Sequence, residues 1–333
     1  MKIRLGIVGY GNLGKAVEQE ILRNNNFKLV AIFSRRNIKS VSSTPVEPFE
    51  NYILYKNKID IMLLCGGSKS DIEEQAPIIA ENFDTINTFD THAKIKTLHK
   101  TLDAISKKSN NRAIMCCGWD PGIFSVIRGL FLAISQKLPY TFWGKGVSMG
   151  HSDALRNIDG VIDAVQFTIP NLKAVSLAKK DFDISSIPHH FRDCYVYTDK
   201  NQEKIESEIK NIPNYFKDQP TKVTFVSGLS VLKLKNKQSH KGMVITSFKS
   251  QNHLSKMTFS VSMQSNPAFT ARIMATYISA IINLKQENKC GAFTPLDIPI
   301  SYLFLGSNKE NLLTNICWHL VFTTTKFNGT ILL

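Results

Sequence analysis

The sequence lacks any apolar run long enough to cross a membrane: the candidates at residues 131–134 and 318–322 are short and flanked by polar residues. Lys2 and Arg4 lead directly into a strand pattern, without the apolar core and cleavage site of a signal peptide. Internal repeats, low-complexity stretches and flexible linkers are also absent. We therefore expect a cytoplasmic chain with no membrane partner, and its 333 residues suffice for two domains.

Cysteine spacing excludes the usual metal and disulfide frameworks. No C-x-x-C pair and no metal-type spacing with histidine occurs among Cys65, Cys116, Cys117, Cys194, Cys290 and Cys317. Three of them lie in apolar, strand-like runs, where a buried thiol acts as a small hydrophobe. We expect neither structural disulfides nor a bound metal.

Acidic residues are scarce beside basic ones, and the formal net charge is +14. This balance suits nucleic acid or an anionic ligand. However, the lysines are scattered and are not clustered with aromatic residues. A solvated basic surface is the simpler interpretation, and we expect no nucleic-acid partner.

The most informative stretch is the N-terminal one. A β-branched apolar run at residues 3–8 leads into Gly9-x-Gly11-x-x-Gly14, and a helical pattern follows at residues 15–23. This order of strand, glycines and helix is the context of a dinucleotide-binding turn, in which the glycines allow a tight turn and close approach of a pyrophosphate. The alternative is a glycine-rich turn without a ligand.

The second predicted strand, residues 28–33, ends in Ser34, Arg35 and Arg36. In NAD-preferring folds an acidic residue at this position binds the ribose 2′-hydroxyl, whereas guanidinium groups suit a 2′-phosphate. The sequence therefore favours NADP, although two solvated arginines in a turn are the alternative.

Predicted strands at residues 59–65, 85–89 and 113–117 alternate with helical patterns at residues 71–82 and 93–108. This alternation predicts a Rossmann-type, doubly wound parallel α/β sheet. Since ligands collect at the carboxyl ends of such strands, the glycine turn, Arg35, Ser68, Asp90 and Asp120 are expected along one rim.

A different pattern begins near residue 120, with a helix at residues 123–138 and strand-like alternation at residues 222–225 and 257–263. An amphipathic helix at residues 203–212 carries Ile205, Ile209 and Ile212 on one face. These features predict a second, mixed α+β domain with a largely antiparallel sheet. A long helix at residues 267–288 is expected to end at Gly291, acting as its C-cap.

We therefore divide the chain into three parts. Residues 1–120 form the dinucleotide-binding domain, completed by the helix at 268–290. Residues 121–267 form a substrate-binding and dimerisation domain, and residues 300–333 form a C-terminal tail.

Two carboxylates follow sheet strands at the rim where a nicotinamide would end. Asp90 and Asp120 could hold a substrate ammonium group, or one could act as base. The alternative for Asp120 is structural, because Asp-Pro-Gly is a turn sequence and Asp caps helices.

Other candidates have similar alternatives. Trp119 and Trp143 are pocket walls or core, and His151 is a general base or a structural hydrogen-bonding residue. Arg192 and His240 would suit a substrate carboxylate, but from position alone they are surface residues.

Several motifs in order resemble those of the meso-diaminopimelate dehydrogenase family: the glycine turn, Ile-Phe-Ser-Arg-Arg, Gly118-Trp-Asp-Pro-Gly, Phe142-Trp-Gly, Gly150-His-Ser-Asp-Ala-Leu-Arg and Gln166-Phe-Thr-Ile-Pro. The resemblance covers residues 1 to about 300. It implies NADP-dependent, reversible oxidative deamination of the D-centre of meso-2,6-diaminopimelate to L-2-amino-6-oxopimelate, or tetrahydrodipicolinate after cyclisation, and ammonia. It also implies a role in lysine biosynthesis and a homodimer.

The resemblance assigns roles residue by residue. Asp90 and Asp120, together with His151 as the candidate base named above from its position, are the residues expected to act in catalysis. The first two bind the D-centre amine, and the substrate site further contains Trp119, Trp143, Met149, Gly150, Thr168, Arg192, His240 and Asn266, the last four at the distal L-amino-acid end. The cofactor site comprises Gly9, Tyr10, Gly11, Asn12, Leu13, Gly14, Ser34, Arg35, Arg36, Gly67, Ser68, Lys69, Ser70, Asp90, Thr91, His92, Trp119, Asp120, Pro121, Gly122 and Ile123.

Two features depart from the family pattern: Met149 stands where some members have glutamine, and the tail is atypical after about residue 311. Two other functions remain open from the sequence. One is an NADP-dependent enzyme of the same architecture acting on another D-amino acid or small substrate. The other is a non-enzymatic NADP(H)-binding sensor.

Overall fold

The computed structural model describes residues 2–68, 71–213, 215–236 and 239–305. Its strands and longer helices follow in this order: β1 (Ile3–Val8), α1 (Asn12–Leu22), β2 (Phe27–Ser34), β3 (Val46–Pro48), β4 (Ile61–Leu64), α2 (Ile72–Ala80), β5 (Asp84–Asn87), α3 (Ile95–Ser109), β6 (Arg112–Ile114), α4 (Ile123–Ser135), β7 (Tyr140–Trp143), β8 (Gly146–Val147), α5 (Met149–Arg156), β9 (Val161–Pro170), α6 (Leu172–Ala178), β10 (His190–Thr198), α7 (Gln202–Lys210), β11 (Thr221–Phe225), α8 (Gly228–Lys235), β12 (His240–Ser250), β13 (His253–Met263), α9 (Asn266–Gln286) and β14 (Gly291–Phe293). Short 3₁₀ helices lie at Phe49–Tyr55, His92–Lys94 and Ile300–Leu303. The tail beyond residue 305, including the atypical part, lies outside the described residues.

The chain divides into two compact units. The first contains the chain up to Val126 and again from Pro267, and the second is Ile127–Asn266. A long helix, α9, thus begins at the point where the chain returns to the first unit.

The first unit contains a seven-stranded parallel sheet in the order β14-β6-β5-β4-β1-β2-β3. Its strands are short and apolar because both faces are covered. Helices α2 and α3 pack on one face, around Met62, Ile79 and Leu102. The order of the first six strands is that of a doubly wound dinucleotide-binding sheet, so the predicted Rossmann-type architecture is confirmed.

The expected helix end at Gly291 is wrong. Helix α9 ends at Gln286, and Asn288 takes the left-handed conformation (φ 55°) while the Lys289 N–H donates to the Leu284 carbonyl (2.9 Å). Gly291 instead begins β14, which pairs with β6. Glycine is needed there because φ is 119° and a Cβ would lie 2.5 Å from Asp103 Oδ1.

The second unit contains two sheets. The four-stranded sheet has the order β11-β10-β9-β8, with only the β10–β11 pair parallel, and the three-stranded sheet has the antiparallel order β13-β12-β7. The predicted mixed α+β domain is therefore confirmed. As the periodicity predicted, Ile205 and Ile209 of α7 are buried in a core cluster.

One short segment joins the two sheets of this unit. Strand β7 pairs with β12 through Trp143 and Gly242, and three residues later Gly146 of β8 pairs with Thr168 of β9. We call residues 143–147 the crossover segment. It brings the ends of β7, β9 and β12 close together.

Candidate functional site

The turn between β1 and α1 has the backbone that its glycines require. Gly9 has a φ of 85°, and a Cβ on Gly14 would lie 2.3 Å from the Gly9 carbonyl oxygen. Around Gly11 no atom lies within 4 Å of a built Cβ. The turn therefore packs tightly at Gly9 and Gly14 and leaves the backbone of Gly11 open to a pyrophosphate. Asn12 and Leu13, also predicted cofactor residues, open α1 beside it.

A cavity of about 460 Å³ extends from this turn to the end of β2. The predicted cofactor residues that line it are Gly9, Tyr10, Gly11, Ser34, Arg35, Arg36 and Gly67. The Arg36 backbone N–H donates to Ser34 Oγ (3.0 Å), and Arg36 Nη2 donates to the Tyr10 carbonyl (3.4 Å). Two guanidinium groups at this position fit the 2′-phosphate of NADP.

Asp71 also lines this cavity, although the sequence indicated it only as a helix start. Its carboxylate accepts hydrogen bonds from Arg35 and from the Gly67 backbone N–H, the latter at 2.9 Å. Asp71 thus connects the loop after β4 with the loop after β2. Asp71 is the residue directly before α2, where an acidic side chain is common, so the sequence contains no specific signal for this contact.

Further along the rim, Asp90 follows β5 and is exposed. Its backbone N–H donates to Ser68 Oγ (3.2 Å). Thr91 and His92 continue into the 3₁₀ helix at His92–Lys94. Lys69 and Ser70, also predicted to bind the cofactor, lie outside the described residues.

The segment from Gly118 to Ile123 is a tight turn before α4. The Gly118 N–H donates to the Pro121 carbonyl (3.0 Å), and a Cβ on Gly122 would lie 1.8 Å from the Gly118 carbonyl oxygen. Trp119 is buried and meets Phe124 edge-on at 5.1 Å between ring centroids. Asp120 is partly exposed at this turn.

In the second unit the structure brings together four residues predicted to bind the substrate: Trp143, Thr168, Arg192 and His240. Thr168 and Arg192 are register partners on β9 and β10, and Arg192 Nη1 donates to Thr168 Oγ1 (3.1 Å). The His240 ring covers Gly146, where a Cβ would lie 2.3–2.8 Å from ring atoms. These contacts place the four side chains around the crossover segment.

The electrostatics of this cluster favour an anionic ligand. Burial lowers the pKa of both Arg192 and His240. The Nε atom of Arg192 is buried and has no hydrogen-bond partner among the described residues. Arg192 also lines a cavity of about 400 Å³ at the start of β10 and β11. A cationic donor that is buried without an acceptor is costly unless a ligand accepts from it.

His190 is a site residue that the sequence did not indicate. Its Nε2 accepts the Trp143 backbone N–H (2.8 Å), and its ring stacks on the Trp143 indole at 5.1 Å with a 26° tilt. Burial, and then the nearby charge of Arg192, lowers the pKa of His190 to about 3. His190 is therefore neutral, with its proton on Nδ1, and fixes Trp143 from behind.

The remaining predicted substrate residues lie at helix starts. Met149, Gly150 and His151 form the first turn of α5, with Met149 exposed. His151 Nδ1 lies 2.8 Å from Ser148 Oγ, and its ring meets Tyr215 and Phe216 edge-on. Asn266 is the first residue of α9. The role of His151 as a general base stays a prediction.

Within the described residues, no group of three or more histidine, cysteine, aspartate or glutamate side chains is arranged to hold a metal ion. In the same part of the chain, none of the helices is both long and apolar enough to cross a membrane. The described cysteines, Cys65, Cys116, Cys117, Cys194 and Cys290, are free thiols.

Comparison with known proteins identifies relatives of this chain. The family model described as diaminopimelic acid dehydrogenase C-terminal domain matches residues 118–265. The meso-diaminopimelate D-dehydrogenase of Ureibacillus thermosphaericus is 43% identical over 311 residues, covering 91% of this chain and 95% of the relative.

Two solved structures are similar over nearly the whole chain. A six-substitution mutant of the meso-DAP dehydrogenase of Clostridium tetani, crystallised with DAP, is 42% identical with a TM-score of 0.88, and covers 95% of this chain and 100% of its own. An engineered D-amino acid dehydrogenase bound to NADP⁺ is 33% identical with a TM-score of 0.85 and the same coverage of both chains. This chain therefore belongs to the meso-diaminopimelate D-dehydrogenase family.

Proposed function

We propose that this chain catalyses the NADP-dependent, reversible oxidative deamination of the D-centre of meso-2,6-diaminopimelate. The products are L-2-amino-6-oxopimelate, which cyclises to tetrahydrodipicolinate, and ammonia, as a step of lysine biosynthesis. The family supports this proposal, since its named members act on this substrate. NADP supplies the hydride acceptor, and the two arginines after β2 support this choice of cofactor.

The observation that carries the substrate assignment is the cluster around Arg192. A partly buried guanidinium with one unsatisfied donor, bonded to Thr168 and near the His240 ring system, suits a carboxylate. Diaminopimelate carries a carboxylate at each end. We propose that Thr168, Arg192, His240 and Asn266 hold its distal L-amino-acid end.

In the first unit we assign the complementary role to acidic groups. We propose that Asp90 and Asp120 bind the reacting D-centre amine and that Trp119 contacts the substrate beside them. In the second unit we propose Trp143, Met149 and Gly150 as further substrate-binding residues. Fixing both ends allows one stereocentre of a nearly symmetric molecule to be selected, because the wrong orientation leaves buried polar groups unpaired.

The test is NADPH formation with meso-diaminopimelate, beside the L,L and D,D isomers and D-alanine. We expect activity with the meso isomer and faster deamination at alkaline pH, because the amine must be neutral before hydride leaves. A rate that stays flat from about pH 7 to about pH 10 would contradict this order of steps.

Arg192→Ala and His240→Ala should each raise the KM for meso-diaminopimelate by about ten- to a hundredfold, the equivalent of a charge-assisted contact. Lys233→Ala on the exposed side of α8 is the matched control in the same unit. Unchanged KM values in both site variants would refute the substrate assignment.

The cofactor assignment has its own test. Arg35→Asp should abolish NADP binding and leave NAD binding weak, because it places a like charge beside the 2′-phosphate. Lys28→Asp makes the same charge change at the opposite end of β2 and serves as control. Equal use of NAD and NADP by the wild type would overturn the preference.

We further propose that the chain works in the cytoplasm as a homodimer. Exposed apolar side chains at Leu130, Ile134 and Leu254 of the second unit support a protein partner for this unit. Light scattering during size-exclusion chromatography tests the dimer directly. A monomer at micromolar concentration would contradict it.

A further inference from the structure

Glu18 is a buried carboxylate that none of the site assignments above uses. It lies in the middle of α1, and its side chain is fully shielded from solvent (0% exposed). Burying an acidic side chain in this way is costly unless hydrogen bonds compensate for the lost water. The partners of Glu18 are therefore informative.

All of these partners come from two segments of the cofactor site. The hydroxyl groups of Tyr10 and Ser42 each donate to Glu18, and so do the backbone N–H groups of Val41 (3.4 Å) and Ser42 (3.2 Å). The Val41 N–H also donates to the Tyr10 hydroxyl (3.0 Å). One carboxylate thus joins the glycine turn to residues 35–44, which we call the arginine loop.

Tyr10 is fixed at both ends by this arrangement. Its carbonyl accepts from Arg36, and its hydroxyl donates to Glu18. Burial, and then the hydrogen bond to Glu18, raises the pKa of Tyr10 to about 12, so that its proton stays available as a donor. Tyr10 therefore couples the Glu18 carboxylate to one of the two arginines at the end of β2.

The arginine loop is held by its own hydrogen bonds as well. Ser43, the residue after Ser42, takes a left-handed conformation (φ 64°), which is uncommon outside glycine. Ser42 Oγ lies 2.7 Å from Thr44 Oγ1, and Ser40 Oγ donates to the Thr44 carbonyl (2.8 Å). The loop that begins with Arg35 and Arg36 is thus hydrogen-bonded to Glu18 near its other end.

We propose that Glu18 is a positioning residue for cofactor selection: by anchoring the arginine loop to Tyr10, it holds Arg35 and Arg36 where a 2′-phosphate binds. A buried anion held by four donors fixes a geometry, whereas an apolar side chain would fill the same space without fixing the loop. This inference rests on the proposed preference for NADP.

For Glu18→Gln, a charge argument and the positioning argument predict opposite changes in the affinity for a 2′-phosphate. Removing a negative charge from the first unit would by itself strengthen binding of a 2′-phosphate. Loss of the anchor weakens it, because the amide presents donors to groups that are themselves donors.

The experiment compares adenosine 2′,5′-bisphosphate with 5′-AMP by calorimetry on the full chain at one ionic strength. We expect Glu18→Gln to raise the Kd of the bisphosphate about tenfold and to leave the Kd of AMP within about twofold. Ser42→Ala, which removes one neutral donor, should change the same ratio in the same direction by a smaller factor. Val41→Ala shortens an exposed side chain in the same loop and keeps the backbone N–H that donates to Glu18, so it should leave the ratio unchanged.

Three results for Glu18→Gln would overturn the proposal. They are an unchanged ratio of the two affinities, an equal loss of affinity for both probes, and tighter binding of the bisphosphate. If Glu18→Gln does not fold, the ratio measured for Ser42→Ala against Val41→Ala decides in the same way. A wild type that binds both probes equally refutes the NADP preference itself. If the wild type binds the bisphosphate more tightly than AMP and the variants show the same ratio of affinities, only the role of Glu18 is refuted.

Discussion

The neutral histidine behind Trp143 predicts how the stability of this protein depends on pH. His190 accepts the Trp143 N–H and has a pKa of about 3 in the folded chain, against about 6.5 when unfolded. The unfolded chain therefore binds the proton more readily. The contribution of His190 to stability is present above about pH 6.5 and is lost as the pH falls towards about 3.

The magnitude follows from the two pKa values. Lowering the pH from about 7 to about 5 costs about 2 kcal/mol of folding free energy through His190 alone. His190→Phe keeps a ring to stack on Trp143 but removes both the proton site and the hydrogen-bond acceptor. At pH 7 the variant should be less stable by about 1–3 kcal/mol, the cost of a buried N–H without an acceptor.

Urea unfolding of the wild type and of His190→Phe, followed by circular dichroism, measures the difference in their free energy of unfolding. We expect this difference to shrink by about 2 kcal/mol between pH 7 and pH 5, and to stay constant between pH 7 and pH 8, where His190 is neutral in both states. Other groups, including His240, titrate in both proteins and cancel. A difference that is the same at pH 5 and pH 7 would refute the assignment of a neutral, buried His190.

Substitutions at three other places in the structure test further contacts. Gly11→Ala should leave the thermal midpoint unchanged, because the added Cβ meets no protein atom, but it should weaken NADPH binding at least about tenfold. Gly14→Ala should lower the thermal midpoint, because its Cβ would meet the Gly9 carbonyl oxygen. Thermal unfolding measures the midpoints and fluorescence titration measures NADPH binding. Arg112→Ala should cost about 3–5 kcal/mol in urea unfolding, because it leaves Asp84 buried without its ion-pair partner, and adding Asp84→Asn should recover part of this loss. Gly146→Ala should raise the KM for meso-diaminopimelate by displacing His240 while leaving NADPH affinity unchanged; an unaltered KM would show that His240 does not hold the substrate.

Much of the first unit could be predicted because its signals are local. The run that forms β1 (Ile3–Val8) is apolar and β-branched, and the glycines that follow specify a turn by themselves. The three-residue strand Gly291–Phe293 contains too few residues to show a period. From the sequence alone Gly291 therefore fits a helix end, whereas its pairing with Arg112 of the neighbouring strand decides its role.

The contacts of the second unit depend on register, which the sequence does not encode locally. Arg192 and Thr168 are 24 residues apart and meet only because β9 and β10 pair in one particular alignment. His190 is a partner of Trp143 for the same reason, across 47 residues. Resemblance to a family predicted a set of site residues, but it did not predict the residue that fixes Trp143.

The crossover segment has a consequence for how substitutions combine. Trp143 belongs to the three-stranded sheet and Gly146 to the four-stranded sheet, so a displacement of either sheet moves the same few residues. Changes near Gly242 on β12 and near Thr168 on β9 are thus coupled through one stretch of backbone. Their effects on substrate binding should not add, and a double-mutant cycle across the two sheets should show an interaction energy of about 0.5–3 kcal/mol.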